Sequence, residues 1–225
     1  MHIWILLLVS VLGAYWLLVT VIAILSVRKM SRADALLQSV DEPERLEDPW
    51  GVSAWAREHG FTLDSQFDFD SLIGAGGLKL AVECWYLASE KVFLMHYHVT
   101  DKCYYEFVSG FEGEYSLTSS KSADSLSLPF PPKAFMQVFE DASLDELMRE
   151  HQKGVAFLHQ RFGLVPVAPD RPLRDLILFT VKTQMALVQS QPLWQLKLAW
   201  WHMTRRRRLK NKSVIEQIQG LDGDQ

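Results

Sequence analysis

Residues 3 to 27, IWILLLVSVLGAYWLLVTVIAILSV, form an unbroken apolar run of 25 residues without one charge. At about 1.5 Å rise per residue, a helix of that length crosses a hydrocarbon core of about 30 Å with room to tilt. Past this run the pattern breaks into a polar, acid-rich stretch, residues 31 to 49, where Pro43 and Pro49 favour an extended linker. A short helix is expected over Ser53 to His59, with Gly60 just past its end and Phe61 free to pack back. Trp50 and Trp55 would seat it on the domain. From Leu78 to Ser119 aromatic and β-branched residues alternate with short polar breaks, which predicts four strands: 78–88, 92–99, 103–110 and 114–119. Connections this short join only antiparallel neighbours, so the four form a meander.

Residues 120 to 133 carry several serines and then Pro129, Pro131 and Pro132, and read as a connection. A further short strand fits 134–139. Ser143-Leu-Asp-Glu146 has the capping-box spacing and opens a helix. Its face is Leu147, Met148, His151, Val155, Leu158 and Phe162, and Gly163 closes it. Asp170-Arg-Pro172 starts another helix over 172–190, Pro192 breaks it, and a last one runs over 193–210. Strands followed by helices indicate an α+β domain, a sheet covered by helices on one face. The organisation is an N-terminal transmembrane anchor (1–29), an acidic linker (30–49), one α+β domain (50–192), and an amphipathic Trp- and Arg-rich helix with its tail (193–225).

A cleaved signal peptide would need a basic leader, an apolar stretch of roughly 7–15 residues and a small-x-small site. Here only His2 precedes the run, and Ser26-Val27-Arg28 is a poor cleavage site. Arg28, Lys29 and Arg32 follow the run while no Lys or Arg precedes it, so the positive-inside bias puts the domain in the cytoplasm. A bacterial inner membrane is consistent with this arrangement. A second span over 173–203 is disfavoured by Arg174, Asp175, Lys182, Pro192 and Lys197, since each central charge costs about 2.5–3.5 kcal/mol.

The overall charge of −4 conceals a segregation. Residues 34–150 hold 22 acidic and 8 basic side chains, whereas residues 151–212 hold 2 acidic and 12 basic. Such asymmetry indicates a surface that faces something anionic. Arg205, Arg206, Arg207, Arg208, Lys210 and Lys212 supply half of the basic charge, directly after Trp194, Trp200 and Trp201. Trp favours the headgroup level, and basic clusters favour an anionic leaflet by about 1 kcal/mol per residue. These nine residues are therefore the expected membrane-surface contact. A solvated helix end is the plainer alternative. The cluster could also neutralise phosphates, but an acidic, membrane-tethered body argues against nucleic acid. Within the anchor, Ser10, Gly13, Thr20 and Ala23 form a small-residue seam through which a membrane-protein partner or a second copy could pack.

Little else carries chemistry. His96 and His98 lie two apart in a strand and share a face, a spacing that can present two imidazoles to a metal with Cys84 or Glu83 as third ligand. The alternative sets both on the solvent face, opposite Phe93, Met95, Tyr97 and Val99. Cys84 and Cys103, the only cysteines, lie on strands separated by a third. Their backbones would stand about 9.5 Å apart, too far for a disulfide. An acidic setting does not activate either thiol. His151, on an apolar helix face, reads as a core histidine. Asp64, Asp68 and Asp70, alternating with Phe67 and Phe69, resemble an exposed strand or loop edge and lack a calcium-loop pattern. GAGG at 74–77 fits neither a P-loop nor a dinucleotide fingerprint and reads as a flexible turn.

No catalytic set and no cofactor motif emerges. The expectation is a single-pass membrane protein whose cytoplasmic domain acts by interaction, positioning a partner at the inner leaflet. The alternatives are a membrane-tethered enzyme and a small-ligand-sensing domain, either with a site that only the fold assembles.

Overall fold

The strands over 79–87 and 92–99 bury side chains on both of their faces, which is what draws helices to both sides. The computed structural model describes residues 2–31, 37–39, 48–70, 79–99 and 102–222. Helix α1 (His2–Met30) is the apolar run. The sheet then takes its strands in chain order: β1 (Leu37–Ser39), β2 (Thr62–Asp70), β3 (Lys79–Leu87), β4 (Val92–Val99), β5 (Lys102–Phe111), β6 (Tyr115–Ser120) and β7 (Ala134–Val138). The four-stranded meander is β3 to β6. β2 and the three-residue β1 extend it antiparallel on one side, and β7 adds in parallel on the other. The parallel pairing accounts for residues 121–133: a strand cannot return parallel through a tight turn. The segment therefore crosses over with a 3₁₀ turn at Ala123–Leu126. β2 is the TLDSQFDFD stretch, not a loop; Phe67 is buried and Asp68 pairs opposite Ala81.

Alternation along β4 sorts the two faces. Val92 and Leu94 point, with Trp85, Tyr105 and Phe107, towards α2 (Val52–Glu58) and α3 (Leu144–Phe162). Phe93 and Met95 point the other way, with Phe67, Val82 and Cys84, towards Leu173 and its neighbours on α4 (Leu173–Ser190). Helices thus cover both faces, where the sequence pattern suggested one. The reason is that residues 82–85 and 92–96 are buried at consecutive positions, apolar but for Glu83 and His96, as in doubly covered strands. α5 (Trp194–Leu209) follows α4, and α6 (Val214–Asp222) returns to the first face, where Val214 joins Leu117 and Leu158.

Local signals read from the sequence hold. Ser143 and Glu146 cap α3 reciprocally, at 3.3 Å (Glu146 N–H to Ser143 Oγ) and 2.8 Å (Ser143 N–H to Glu146 Oε2). Gly163 ends it with φ +70°. Ser213-Val-Ile-Glu216 builds a second capping box at α6, an element the sequence reading passed over. Gly154 lets α3 approach the sheet closely: a Cβ there would stand 2.9 Å from Leu117 Cδ2. Trp55 seats α2, its indole N–H donating to Asp145 Oδ1 at 2.9 Å, whereas Trp50 is exposed.

The end of α1 packs onto the domain. Ala23, Val27 and Met30 meet Val181, Met185, Val188, Trp194 and Leu198, and Val27 is fully buried. Among the described residues α1 is the one helix long and apolar enough to cross a membrane, over Ile3–Leu25.

Candidate functional site

The hairpin joining β3 and β4 decides which residues meet. Leu87 pairs with Val92, so Glu83 falls directly opposite His96, with His98 one step along the same face. Glu83 Oε2 lies 3.7 Å from His96 Nδ1 and 3.4 Å from His98 Nε2. The imidazole centroids are 4.0 Å apart. The carboxylate is held from two further elements. Ser53 Oγ on α2 donates to Oε2 at 2.7 Å, and Gln66 Nε2 on β2 donates to Oε1 at 2.9 Å. Cys84, one residue on, faces the opposite side of the sheet among Phe67 and Met95, which removes it from this group.

His96 and Glu83 are buried, so the solvent-face placement of the two histidines does not hold: α2 covers this part of the sheet. Burial works to raise the pKa of Glu83. The two imidazoles and the Ser53 hydroxyl outweigh it and hold the carboxyl well below its usual range. Asp48 stands next in line. Burial again opposes ionisation, but the amides of Ser53 (2.7 Å) and Val52 (3.0 Å), together with the charge of His96, keep its pKa low. The centre therefore joins anionic carboxylates to imidazoles inside a mostly apolar wall.

A second histidine centre lies on the same face, nearer β6 and β7. His151 of α3 is fully enclosed. Ser109 Oγ lies 3.0 Å from its Nε2 and Ser119 Oγ 2.8 Å from its Nδ1. Gln137 Nε2 donates to Ser119 Oγ at 2.7 Å and to the Glu150 carbonyl at 3.0 Å, while Gln137 Oε1 accepts the Val214 amide at 3.0 Å. A continuous donor chain then runs from Gln137 through the Ser119 hydroxyl to Nδ1, and Nε2–H donates to Ser109. That chain needs a neutral imidazole, and burial alone pulls the His151 pKa down to about 3. Closed on every side, this network ties α3, α6, β5, β6 and β7 together and offers no access to a substrate.

The basic C-terminal segment is laid out end to end: apart from Gln195 and Lys197 the first half of α5 is apolar, and four arginines cluster in the second. Its members have different surroundings. Trp194 is half-buried against Val188 and Leu198. Trp201 packs inward, its indole N–H donating to the Leu126 carbonyl at 3.0 Å and its ring edge-on to Phe130. Lys210 pairs with Glu140. Trp200, Arg207, Arg208 and Lys212 are exposed. The side chains of Arg205 and Arg206 lie outside the described set, as do that of Cys103, the GAGG turn at 74–77 and most of the acidic linker. Trp200 is joined by exposed Leu193 and Leu196, and the three recur at helical spacing along one edge of the hairpin between α4 and α5.

In the small-residue seam, Ser10 and Gly13 stay exposed while Thr20 is buried and Ala23 meets the chain's own helices. Cys84 is a fully buried free thiol whose pKa burial pushes up, which keeps it protonated and unreactive. A cavity of about 150 Å³ opens between Pro129, Val188, Trp194 and Trp201. It lies outside the sheet–helix layers and below the roughly 300–1,000 Å³ of ligand pockets.

Ser53, Gln66 and Asp48 escaped the sequence reading, as did Ser109, Ser119 and Gln137. The hairpin register could have placed Glu83 opposite His96, because the break at 88–91 sets the pairing. The serines and glutamines carry no comparable signal. Comparison with family models, curated proteins and solved structures finds no match, so function is argued from these residues alone.

Proposed function

We propose that this chain is a single-pass protein of a bacterial inner membrane whose cytoplasmic domain is a non-enzymatic interaction module, positioning a partner at the membrane surface. The observation that carries the reading is the packing of Ala23, Val27 and Met30 against α4 and α5. Ile3–Leu25 spans about 34 Å as a helix, so these contacts begin where α1 would leave the hydrocarbon core. α5 is then held at headgroup depth, with Leu193, Leu196 and Trp200 uncovered and Arg207 and Arg208 beyond them. Apolar anchors next to clustered cations suit an anionic leaflet. The burial of Val27 supports retention of α1 as an anchor, because cleavage after the run would leave its pocket empty.

The test is depth-dependent quenching in reconstituted anionic vesicles. A nitroxide or fluorophore at Leu196 should be quenched by lipid-borne reagents, and one at His159, exposed on α3, should not. Equal quenching at the two positions removes the docking reading. An intact mass that lacks residues before Arg28 removes the anchor. Protease digestion of the domain confined to inside-out vesicles is the outcome expected of a cytoplasmic location; digestion confined to right-side-out vesicles reverses it.

A further inference from the structure

We propose that Glu83, His96 and His98 form a binding site for a divalent transition-metal ion, with Zn²⁺ the first candidate. The inference is independent of how α1 is used.

Spacing is the first argument. Hydrogen-bonded nitrogen and oxygen atoms stand at about 2.7–3.2 Å. Ligands on neighbouring corners of a zinc tetrahedron stand at about 3.3–3.6 Å, given metal–ligand bonds of about 2.0–2.2 Å. Glu83 Oε2 sits 3.4 Å from His98 Nε2 and 3.7 Å from His96 Nδ1, and the three ligand atoms all lie within 4.8 Å of one another. The first separation falls in the tetrahedral range and the second just beyond it, so a small side-chain adjustment brings all three atoms around one ion.

Rigidity is the second. Two ligands are direct partners across the β3–β4 ladder and the third is two residues along the same strand, so the backbone sets their separation. Ser53 and Gln66 then fix the carboxylate from α2 and β2. Outer partners of this kind orient a ligand and tune its affinity. The loose alternative, a solvated histidine pair, is excluded by the burial of His96 and Glu83.

Ligand chemistry is the third. Two imidazoles and one carboxylate suit Zn²⁺, Fe²⁺, Ni²⁺ or Cu²⁺, whereas Mg²⁺ and Ca²⁺ prefer all-oxygen sets. Three protein ligands leave a coordination position for water or a further group, the number found in reactive rather than purely structural zinc sites.

The experiment uses the full chain in detergent, stripped with a chelator and dialysed, then titrated with ZnCl₂ by calorimetry with elemental analysis of the product. One equivalent should bind. Zinc at about a hundredfold excess over its Kd should raise Tm by about 5–10 °C. Co²⁺ in place of zinc should give d–d absorption bands of tetrahedral intensity. His98→Gln and Glu83→Gln should abolish binding, Ser53→Ala should weaken it about 10–100-fold, and His59→Gln, at an exposed histidine stacked on Trp55 and outside the cluster, should leave it intact. Circular dichroism checks that each variant is folded. Should either ligand variant fold poorly, the cobalt spectrum of wild-type protein and the Ser53→Ala affinity decide the matter. Absence of stoichiometric binding by the wild-type chain, or binding undiminished in folded His98→Gln and Glu83→Gln, overturns the site.

Discussion

Two buried histidine centres share one face of the sheet, and they are built on opposite principles. His151 is surrounded by neutral partners at 2.8 and 3.0 Å, and Ser119 is held in turn by Gln137. His96 and His98 stand around a carboxylate at 3.7 and 3.4 Å, with other donors occupying its remaining positions. The first arrangement is closed: every polar atom in the chain from Gln137 to Ser109 is matched, and adding a proton breaks it. The second holds charge in place with wider spacing, which an ion can occupy. Burial and residue type are alike in the two; distance and the charge of the partners separate structural work from a binding site.

The sharpest way to break the comparison is to remove His151. His151→Ala leaves two buried serine hydroxyls without their shared partner and opens a cavity where α3 crosses β5 and β6. The loss should be about 3–5 kcal/mol in denaturant unfolding, from the cavity and the unsatisfied groups together. A loss below about 1 kcal/mol would mean that the network is not what holds these elements. No change in zinc affinity is expected, since Glu83 and its partners are built from other side chains.

A smaller effect follows from pH. The His151 pKa is about 3 in the folded chain against about 6.5 when unfolded. Between those values the unfolded state binds the extra proton, so stability is complete above about pH 6.5 and declines as pH falls towards 3. By pH 5 the decline from this residue is about 2 kcal/mol. His151→Gln should flatten that part of the profile. Glu83 behaves differently: its folded pKa is depressed, so its contribution is present above the usual carboxylate range and fades only as pH drops below it. The two centres should therefore fail in sequence on acidification, His151 first, readable as the difference in Tm between wild type and each variant at pH 7, 5 and 4. A single, simultaneous transition in both variants would contradict the assignment.

Much of the fold was legible because its signals are local. The four meander strands fall within a residue or so of where alternation put them, and Ser143, Gly60 and Gly163 mark helix ends through capping chemistry that needs no tertiary context. β2 was harder because Asp64 and Asp68 interrupt it, and only its pairing with β3 reveals it as a strand. The second covered face was visible in principle, since Leu94 and Met95 are both apolar, but alternation alone does not say which neighbour will cover each. At the candidate site, the shared face of His96 and His98 was readable from their spacing. The choice of Glu83 over Cys84 required the hairpin register. Ser53 and Gln66 come from elements distant in sequence, and ordinary polar residues announce nothing until the fold assembles them. The same holds for α5: composition grouped nine residues as a surface, whereas packing turns Trp201 inward and pairs Lys210 with Glu140.

The smallest effects give the finest discrimination between the two centres. Ser109→Ala removes the partner of His151 Nε2 and should cost about 1–2 kcal/mol, because it leaves a buried N–H unmatched. Ser53→Ala removes one donor to Glu83 Oε2, which keeps both imidazoles nearby, and should cost about 1 kcal/mol in the presence of a chelator. Zinc makes the two diverge. It binds only the folded chain's assembled ligands, so it stabilises by mass action, and a weakened site gains less from it. The deficit of Ser53→Ala relative to wild type should therefore widen when zinc replaces the chelator, while that of Ser109→Ala should stay constant. Thermal melts of the three proteins under both conditions measure this directly. If zinc moves both deficits equally, the carboxylate-centred cluster has no ligand of its own and is, like its neighbour, a device for holding helices to the sheet. If only Ser53→Ala responds, distance and charge have marked out a functional centre within a core where burial alone could not.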